Sequence, residues 1–362
     1  MEVYGLGDDT ATYSFVLWNV PDPDVTVINL DNQVNGEIET PGVQDHWQFT
    51  VAANTTIFRD RTAKSGGAIY FRLLAPDGSQ IYNTLSTDTG PTLLEAAGTY
   101  TLEVYGLGDD TATYSVVLWT VQQADVTELN LDTEVDGEIE TPGVQDRWEF
   151  TVAANATIFR DRTAKSGGAI YFQLLAPDGS QIYNTLSTDT GPTLLEAAGT
   201  YTMVVYGLGD DTATYSFIVW NVPAPDVTAL AHDTLVNGEI ETPGVRDHWE
   251  FDVTANTIIY QDRQATAGGA LYFRLLAPDD TQIYNTLSMD KGPTVLAEAG
   301  TYTMEVYGIG DDTATYSFRI DVLPTSTVAP LPAVSDNRDF VVSWTGDDQT
   351  DGSGVAAYDI YV

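Results

Sequence analysis

Polar and apolar residues alternate along several short stretches of the chain, the pattern of β-strands with one buried face. The alternation is clearest at 46–51, 99–105 and 113–119, and 68–74 is apolar enough for a central strand. Turn-forming residues separate these stretches, among them Asn35-Gly36, Pro41-Gly42 and Gly90-Pro91. We therefore predict seven or eight short strands per unit, stacked as a sandwich rather than a βαβ fold.

The same pattern returns with a constant step of 101 residues. Copies of Tyr-Gly-Leu-Gly-Asp-Asp begin at Tyr4, Tyr105, Tyr206 and Tyr307, the last with isoleucine in place of leucine. Such a period predicts an all-β chain of tandem jelly-roll-like antiparallel β-sandwich repeats. We assign 1–21 to the last two strands of a preceding repeat, 22–122, 123–223 and 224–323 to three repeats, 324–332 to a linker and 333–362 to the start of a different module.

Several short motifs recur in each unit. The first unit has Asn-Gly-Glu-Ile-Glu-Thr-Pro-Gly at 35–42, Asp45 before Trp47-x-Phe49, Leu-x-Ala-Pro-Asp-Gly at 73–78, Ala-Gly-Thr-Tyr-Thr-Leu-x-Val at 97–104 and Tyr114-Ser115. In these motifs the unit resembles the bacterial pre-peptidase C-terminal domain. The resemblance implies a small β-sandwich attached to exported bacterial proteins, auxiliary and not itself catalytic. Residues 340–344 and 354–361 resemble the second and third strands of a fibronectin type III-like domain.

Neither terminal segment has enough strands for a sandwich of its own. Half a sandwich leaves an open strand edge and an uncovered apolar face. We expect a neighbouring chain, or a continuation of this one, to supply the missing strands, and this would allow chains to assemble into a filament.

Charge and composition narrow the function. The chain has 53 acidic against 14 basic residues, a net charge of -39, which disfavours binding to nucleic acid and to anionic membranes and favours cations or a salty medium. It has no cysteine, so disulfides and cysteine-based metal or redox sites are excluded. No apolar run is long enough for a membrane span, and no signal peptide opens the sequence. We expect an extracellular or cell-surface bacterial protein whose signal peptide lies outside this stretch.

Candidate catalytic residues are poorly supported. His46, His232 and His248 do not recur in every copy, and a Gly-x-Ser-x-Gly motif is absent. Residues needed for turnover should not vanish between near-identical copies. We therefore expect no enzyme activity and no required cofactor.

A hairpin with two adjacent aspartates recurs in each copy. Carboxylates in such a turn could bind calcium, or they could serve the backbone shape of a solvated turn. The eight residues are Asp8, Asp9, Asp109, Asp110, Asp210, Asp211, Asp311 and Asp312.

Basic residues form one island per copy in this acidic chain. We predict that they face solvent, where they form either an intradomain salt-bridge ladder or contacts with an acidic face of the next domain or chain. They are Arg59, Arg61, Lys64, Arg160, Arg162 and Lys165.

The last strand of each copy is apolar on both faces except in the third, where the second face has Ser317, Arg319 and Asp321. An apolar face that disappears before a different module indicates an interface between repeats, although drift at a terminal repeat could produce the same difference. The predicted interface residues are Val16, Trp18, Val117, Trp119, Ile218 and Trp220.

These observations favour a structural segment that extends a bacterial surface or secreted protein, with its own repeats as partners and other copies of the chain as candidate partners in a filament. An alternative is a multivalent array that binds glycan or matrix, which requires an exposed aromatic platform on each unit. A third is an accessory region of a secreted hydrolase whose enzyme lies elsewhere.

Overall fold

A computed structural model describes residues 2–85, 87–123, 126–186, 188–328 and 344–347, with 325–328 and 344–347 described by their backbone alone. Within these residues the regular structure consists of strands and turns, and no helix occurs. Accordingly, none of the described residues belongs to a helix that could span a membrane. The prediction of an all-β chain of sandwich repeats is confirmed.

The first repeat has nine strands, more than the seven or eight predicted. They are β1 (Asp24–Val27), β2 (Val34–Ile38), β3 (Gln44–Val51), β4 (Thr55–Gly66), β5 (Ile69–Leu74), β6 (Gln80–Leu85), β7 (Thr89–Leu94), β8 (Gly98–Gly106) and β9 (Ala112–Val121). One sheet has the order β1-β3-β8-β5-β6 and the other β2-β9-β4-β7.

The second and third repeats have the same two sheets. Repeat 2 contains β10 (Val126–Glu128), β11 (Val135–Ile139), β12 (Gln145–Val152), β13 (Ala156–Gly167), β14 (Ile170–Leu175), β15 (Gln181–Leu186), β16 (Thr190–Leu195), β17 (Gly199–Gly207) and β18 (Ala213–Val222). Repeat 3 contains β19 (Asp226–Ala229), β20 (Val236–Ile240), β21 (Arg246–Val253), β22 (Thr257–Gly268), β23 (Leu271–Leu276), β24 (Gln282–Leu287), β25 (Lys291–Leu296), β26 (Gly300–Gly308) and β27 (Ala314–Val322).

One strand pair in each repeat is parallel, which the antiparallel prediction did not include. β1 runs alongside β3 in the same direction, from Asp24 opposite Asp45 to Val27 opposite Gln48. Parallel neighbours need a crossover connection. Here β2 provides it, because the chain passes from the five-stranded sheet to the four-stranded sheet and back.

Two predicted turns lie inside strands. Asn35-Gly36 belongs to β2, and Gly90-Pro91 belongs to β7. Both strands are sheet edges, where a proline can lie without removing a hydrogen bond from the interior of the sheet. The turn prediction was therefore wrong at these two sites, whereas Pro41-Gly42 does lie in a turn.

Each repeat has its own apolar core between the two sheets. In repeat 1, Phe71, Leu73, Leu102 and Val104 are fully buried. Burying one such side chain contributes about 1.5–3 kcal/mol. The alternation seen in the sequence places these residues on the inner face, so the pattern alone identifies most of the core.

A polar network joins the two sheets of each repeat. Trp47 donates from Nε1 to the Tyr114 hydroxyl at 2.7 Å, and that hydroxyl donates to Asp45 at 2.5 Å. The same three residue types repeat the network in the other two copies. Burial raises the pKa of the Asp45 carboxyl, although the hydrogen bond from Tyr114 opposes the shift. Asp45 therefore holds the tyrosine, a role that the sequence did not indicate.

The segments outside the three repeats have little regular structure among the described residues. Residues 2–21 contain no strand and are exposed. Within the predicted linker, β28 (Thr325–Val328) pairs antiparallel with β29 (Trp344–Asp347). The rest of the fibronectin-like assignment lies outside the described residues.

Gly36 fits against the polar network because it lacks a side chain. A Cβ there would lie 2.3 Å from the Tyr114 hydroxyl and 2.7 Å from Asp45 Oδ2. We predict that Gly36→Ala destabilises repeat 1 by about 2–3 kcal/mol, because an overpacked site must displace its neighbours. Hydrogen exchange of β2 and β9 in the full chain measures this.

The control is Gly78→Ala, at a turn glycine with φ of 83° and open space around it. Its cost of about 1 kcal/mol comes from the backbone alone. Equal exchange in the two variants would contradict the steric role of Gly36.

Candidate functional site at the junctions between repeats

The end of the four-stranded sheet of repeat 1 meets a turn of repeat 2. Phe58 in β4 lies opposite Trp119 in β9 and is only 3% exposed. Its ring borders Gly143 of the next repeat, since a Cβ on that glycine would lie 2.8 Å from the ring. Gly143 has φ of 84°, a conformation that glycine adopts without strain. A glycine at this turn therefore allows the close approach of the two repeats.

The second junction repeats the arrangement. Phe159 and Val222 of repeat 2 are buried within the core cluster of repeat 3, and Trp220 packs against that cluster. A Cβ on Gly244 would lie 3.0 Å from Phe159 and 3.2 Å from Val222. Side chains of one repeat thus complete the core of the next.

Of the predicted interface residues, Trp220 packs against the core of the next repeat, and Trp119 lies opposite Phe58. Val117 is buried and Ile218 is half-buried. Trp119 and Trp220 are half-buried, and each donates from Nε1 to an aspartate of its own repeat, Asp60 at 3.0 Å and Asp161 at 3.2 Å.

In residues 2–21, Val16 and Trp18 are exposed. Val20 nevertheless borders Gly42, in the same way as Val222 borders Gly244. The sequence did not indicate that Phe58, Phe159 or the Pro-Gly turn lies at a junction. The available signal was that the Pro-Gly pair recurs in every repeat and that phenylalanine recurs at the equivalent positions 58 and 159.

Repeat 3 presents a different surface at the corresponding end. Tyr260 replaces the buried phenylalanine and is half-buried. Arg319 binds Asp262 at 2.8 Å and Asp321 at 2.7 Å. Asp60 is 5% exposed and Asp161 is 7% exposed, whereas the equivalent Asp262 of repeat 3 is half-buried and paired with a cation.

Carboxylates from both repeats meet at each junction. Burial raises the pKa of Asp60, and the charges of Asp210 in the next repeat and of Asp88 add to the rise. Asp161 shows the same shift, with Asp311 and Asp189 in these roles. Asp189 also lies 3.9 Å from the Cβ position of Gly310. The hairpin with the aspartate pair therefore faces the preceding repeat.

The second aspartate of each hairpin bonds to the backbone. Asp110 accepts from the Ala68 amide at 2.8 Å, and Asp211 and Asp312 accept from the equivalent amides. Among the described residues no group of three His, Asp or Glu side chains is placed to hold a metal ion. Calcium prefers six to eight oxygen ligands, so one hairpin supplies too few by itself.

The prediction that the basic island faces solvent was wrong for two of its members. Arg59 and Arg160 are fully buried inside their own repeats. Arg59 donates to the hydroxyls of Thr84 at 2.9 Å and Thr89 at 2.6 Å and to the carbonyl of Thr87, and it lies 4.2 Å above the Phe71 ring. Its acceptors lie 25 to 30 residues away along the chain, so the alternation of residues within one strand could not predict these contacts.

The remaining basic residues make local contacts. The Arg61 amide donates to Asp88 at 2.8 Å, and Lys64 donates to the Gly66 carbonyl at 2.9 Å. Arg162 and Lys165 repeat these contacts in the second copy. None of the described salt bridges includes Arg59, Arg61 or Lys64, so the predicted ladder is not present there.

Two histidines lie beside glutamates on the outer face of the five-stranded sheet. His46 lies 3.4 Å from Glu103, and His248 lies 3.2 Å from Glu305. Repeat 2 has Arg147 and Val204 at these positions and lacks the pair. The histidines thus vary together with their carboxylate partners, as expected of a structural contact.

Trp119 and Trp220 do not form an open platform for a sugar ring, since they are half-buried and hydrogen-bonded. Tyrosines do pair on the outer face of each five-stranded sheet, with Tyr70 and Tyr105 stacked at 5.6 Å. The Arg72 guanidinium covers Tyr105 at 5.4 Å. A partly covered tyrosine pair is an aromatic feature, present in each of the three repeats, that could serve the glycan-binding alternative.

No family model matches the chain, and a comparison with curated proteins finds no match. A search of solved structures finds the human MASP-1/3 CUB1-EGF-CUB2 domain at 10% identity, covering 51% of this chain and 99% of that one. The TM-score is 0.15, so this likeness carries no argument about function.

Calcium binding by the hairpins stays a prediction of the sequence. A bound ion stabilises the folded state, so a chelator should lower the melting temperature of the full chain. Asp109→Asn, which leaves the backbone contact of Asp110 intact, should reduce that shift. An identical melting temperature with calcium and with chelator would contradict it.

Repeat 3 offers a natural variant of the buried arginine. Gln261 replaces it, and Lys291 replaces the threonine at the position of Thr89 and lies 6.0 Å above the Tyr284 ring. We predict that Arg59→Gln destabilises repeat 1 by about 2 kcal/mol, because the Thr87 carbonyl loses its donor. Adding Thr89→Lys should restore part of the loss, as followed by hydrogen exchange of β4. A single variant as stable as the wild type would contradict the role of Arg59.

Proposed function

We propose that the chain is a structural extender: its repeats dock end to end at a fixed angle and hold other parts of a longer protein apart. The observation that carries this is the burial of Phe159 and Val222 in the core of the following repeat. A flexible string of domains would not place side chains of one domain inside the core of another.

The repeated geometry supports the proposal. Both junctions bring together the same elements, an aromatic of the four-stranded sheet and a Pro-Gly turn of the next repeat. When each repeat contacts the next in one way, the array grows along one direction with a regular step. Arg319 and Asp321 suit a repeat that is not followed by another of its kind, because charged side chains do not favour an apolar contact at that end.

The location and lineage that we propose rest on the sequence. Acidic composition, the lack of cysteine and the resemblance to the pre-peptidase C-terminal domain favour an exported bacterial protein. Assembly of chains into a filament, with the terminal segments completed by neighbours, stays a prediction of the sequence.

A multivalent binding array for glycan or matrix is the second candidate, favoured by the tyrosine pairs that recur as Tyr171 with Tyr206 and Tyr272 with Tyr307. Binding through equivalent pairs would gain from several copies on one rigid array.

The extender function predicts that one substitution loosens the array without unfolding a repeat. Trp220→Asp places the residue found at position 321 of repeat 3 against the core of repeat 3, so repeats 2 and 3 should separate. Small-angle X-ray scattering of the full chain should then show a broader distribution of interatomic distances, while circular dichroism stays unchanged.

Leu186→Asp is the control, since Leu186 is 45% exposed on the edge strand β15, away from the junction elements. It should leave the scattering profile as in the wild type. Unaltered scattering from Trp220→Asp would contradict a fixed junction.

A further inference from the structure

Each junction places a buried aspartate of one repeat close to acidic residues of the next. Asp60 is 5% exposed, and its Oδ1 atom is buried without a hydrogen-bond partner among the described residues. Oδ2 accepts from Trp119. An ionised carboxylate with one unsatisfied oxygen costs free energy when a neighbouring domain removes its water.

The groups around Asp60 do not neutralise it. Asp88 lies on the loop before β7, and Asp210 lies on the hairpin of repeat 2; both raise the pKa. Arg59 opposes them, but its Nη2 atom is bonded to the threonines, and no ion pair between Arg59 and Asp60 occurs among the described residues. Asp161 faces the same set, with Asp189, Asp311 and Arg160.

In repeat 3, which the sequence places before a different module, the equivalent aspartate Asp262 has a different neighbour. Arg319 takes the place of Val117 and Ile218 and binds Asp262 directly. The two junctions therefore lack a cation that repeat 3 supplies within its own sheet. Selection for the tightest contact alone would have favoured a neutral residue at positions 60 and 161.

We propose that Asp60 and Asp161 make each junction responsive to pH and ionic strength, so that the array stiffens when these carboxylates are protonated or screened and loosens when they are ionised at low salt. This inference rests on the proposed extender function. It assigns a regulatory role to residues inside the contact rather than to the hairpin aspartates as metal ligands.

The direction follows from linkage. An acid whose pKa is raised by burial at the junction holds its proton more readily there than in an open state in which water reaches the carboxylate. Docking therefore gains free energy as the pH falls and loses it as the pH rises through the raised value. Salt acts in the same sense as acid, because it screens the repulsion from the exposed Asp210 and Asp311.

Single-molecule energy transfer between dyes at two exposed positions tests this. Glu95→Cys and Glu196→Cys introduce the attachment sites in repeats 1 and 2 of the full chain, which has no other cysteine. At low salt the efficiency distribution should broaden as the pH is raised from acid to neutral, with a midpoint above 3.8. At neutral pH, molar sodium chloride should narrow it again.

Two variants test whether the response to pH and salt comes from Asp60. Asp60→Asn keeps an acceptor for Trp119 but cannot ionise, so its distribution should stay narrow at every pH and salt concentration. Asp262→Asn, the equivalent change where Arg319 pairs the carboxylate, should behave as the wild type.

A wild-type distribution that is narrow under all conditions would overturn the inference and leave the extender function standing. A distribution that is broad under all conditions would overturn both. A response that persists in Asp60→Asn would also overturn the inference, because the ionising group would then lie elsewhere.

Discussion

The burial of an aromatic side chain by the following repeat is the contact on which the shape of the array depends. Phe58 and Phe159 stand at the end of a sheet that would otherwise expose them, and the turn that covers them belongs to another repeat. Covering one aromatic ring contributes about 1.5–3 kcal/mol. The contact fixes the orientation of one repeat relative to the next. Gly143 and Gly244 lie so close to the ring that no side chain fits between the two surfaces.

The interior of each repeat supports that contact indirectly. β4 and β9 carry the junction residues, and both strands lie in the middle of the four-stranded sheet. The buried arginine anchors β4 to the loop before β7, while the tryptophan, tyrosine and aspartate network anchors β9 to β3. A surface held from two sides keeps its shape when the next repeat docks. Polar groups thus position the apolar contact.

Much of the fold was predictable from the sequence, because alternation along β3, β8 and β9 marks the buried face directly. The strands that were misread contain turn-forming pairs. Gly36 serves close packing against Tyr114, and Pro91 lies on an edge strand. Arg59 was misplaced because its acceptors belong to distant strands. The comparison of the copies pointed to Trp119 and Trp220 because Asp321 replaces them in repeat 3. The aromatic one strand away, Phe58, changes only to another aromatic, Tyr260, and so gave no such signal.

Distances between spin labels in neighbouring repeats test the central claim most directly. Labels at positions 95, 196 and 297 are exposed and equivalent in the three repeats. If every junction is built alike, double electron–electron resonance should give the same mean distance, with a narrow distribution, for the pair 95 and 196 as for the pair 196 and 297. Two different mean distances, or broad distributions for both pairs in acid and in high salt, would contradict an array of identically docked repeats.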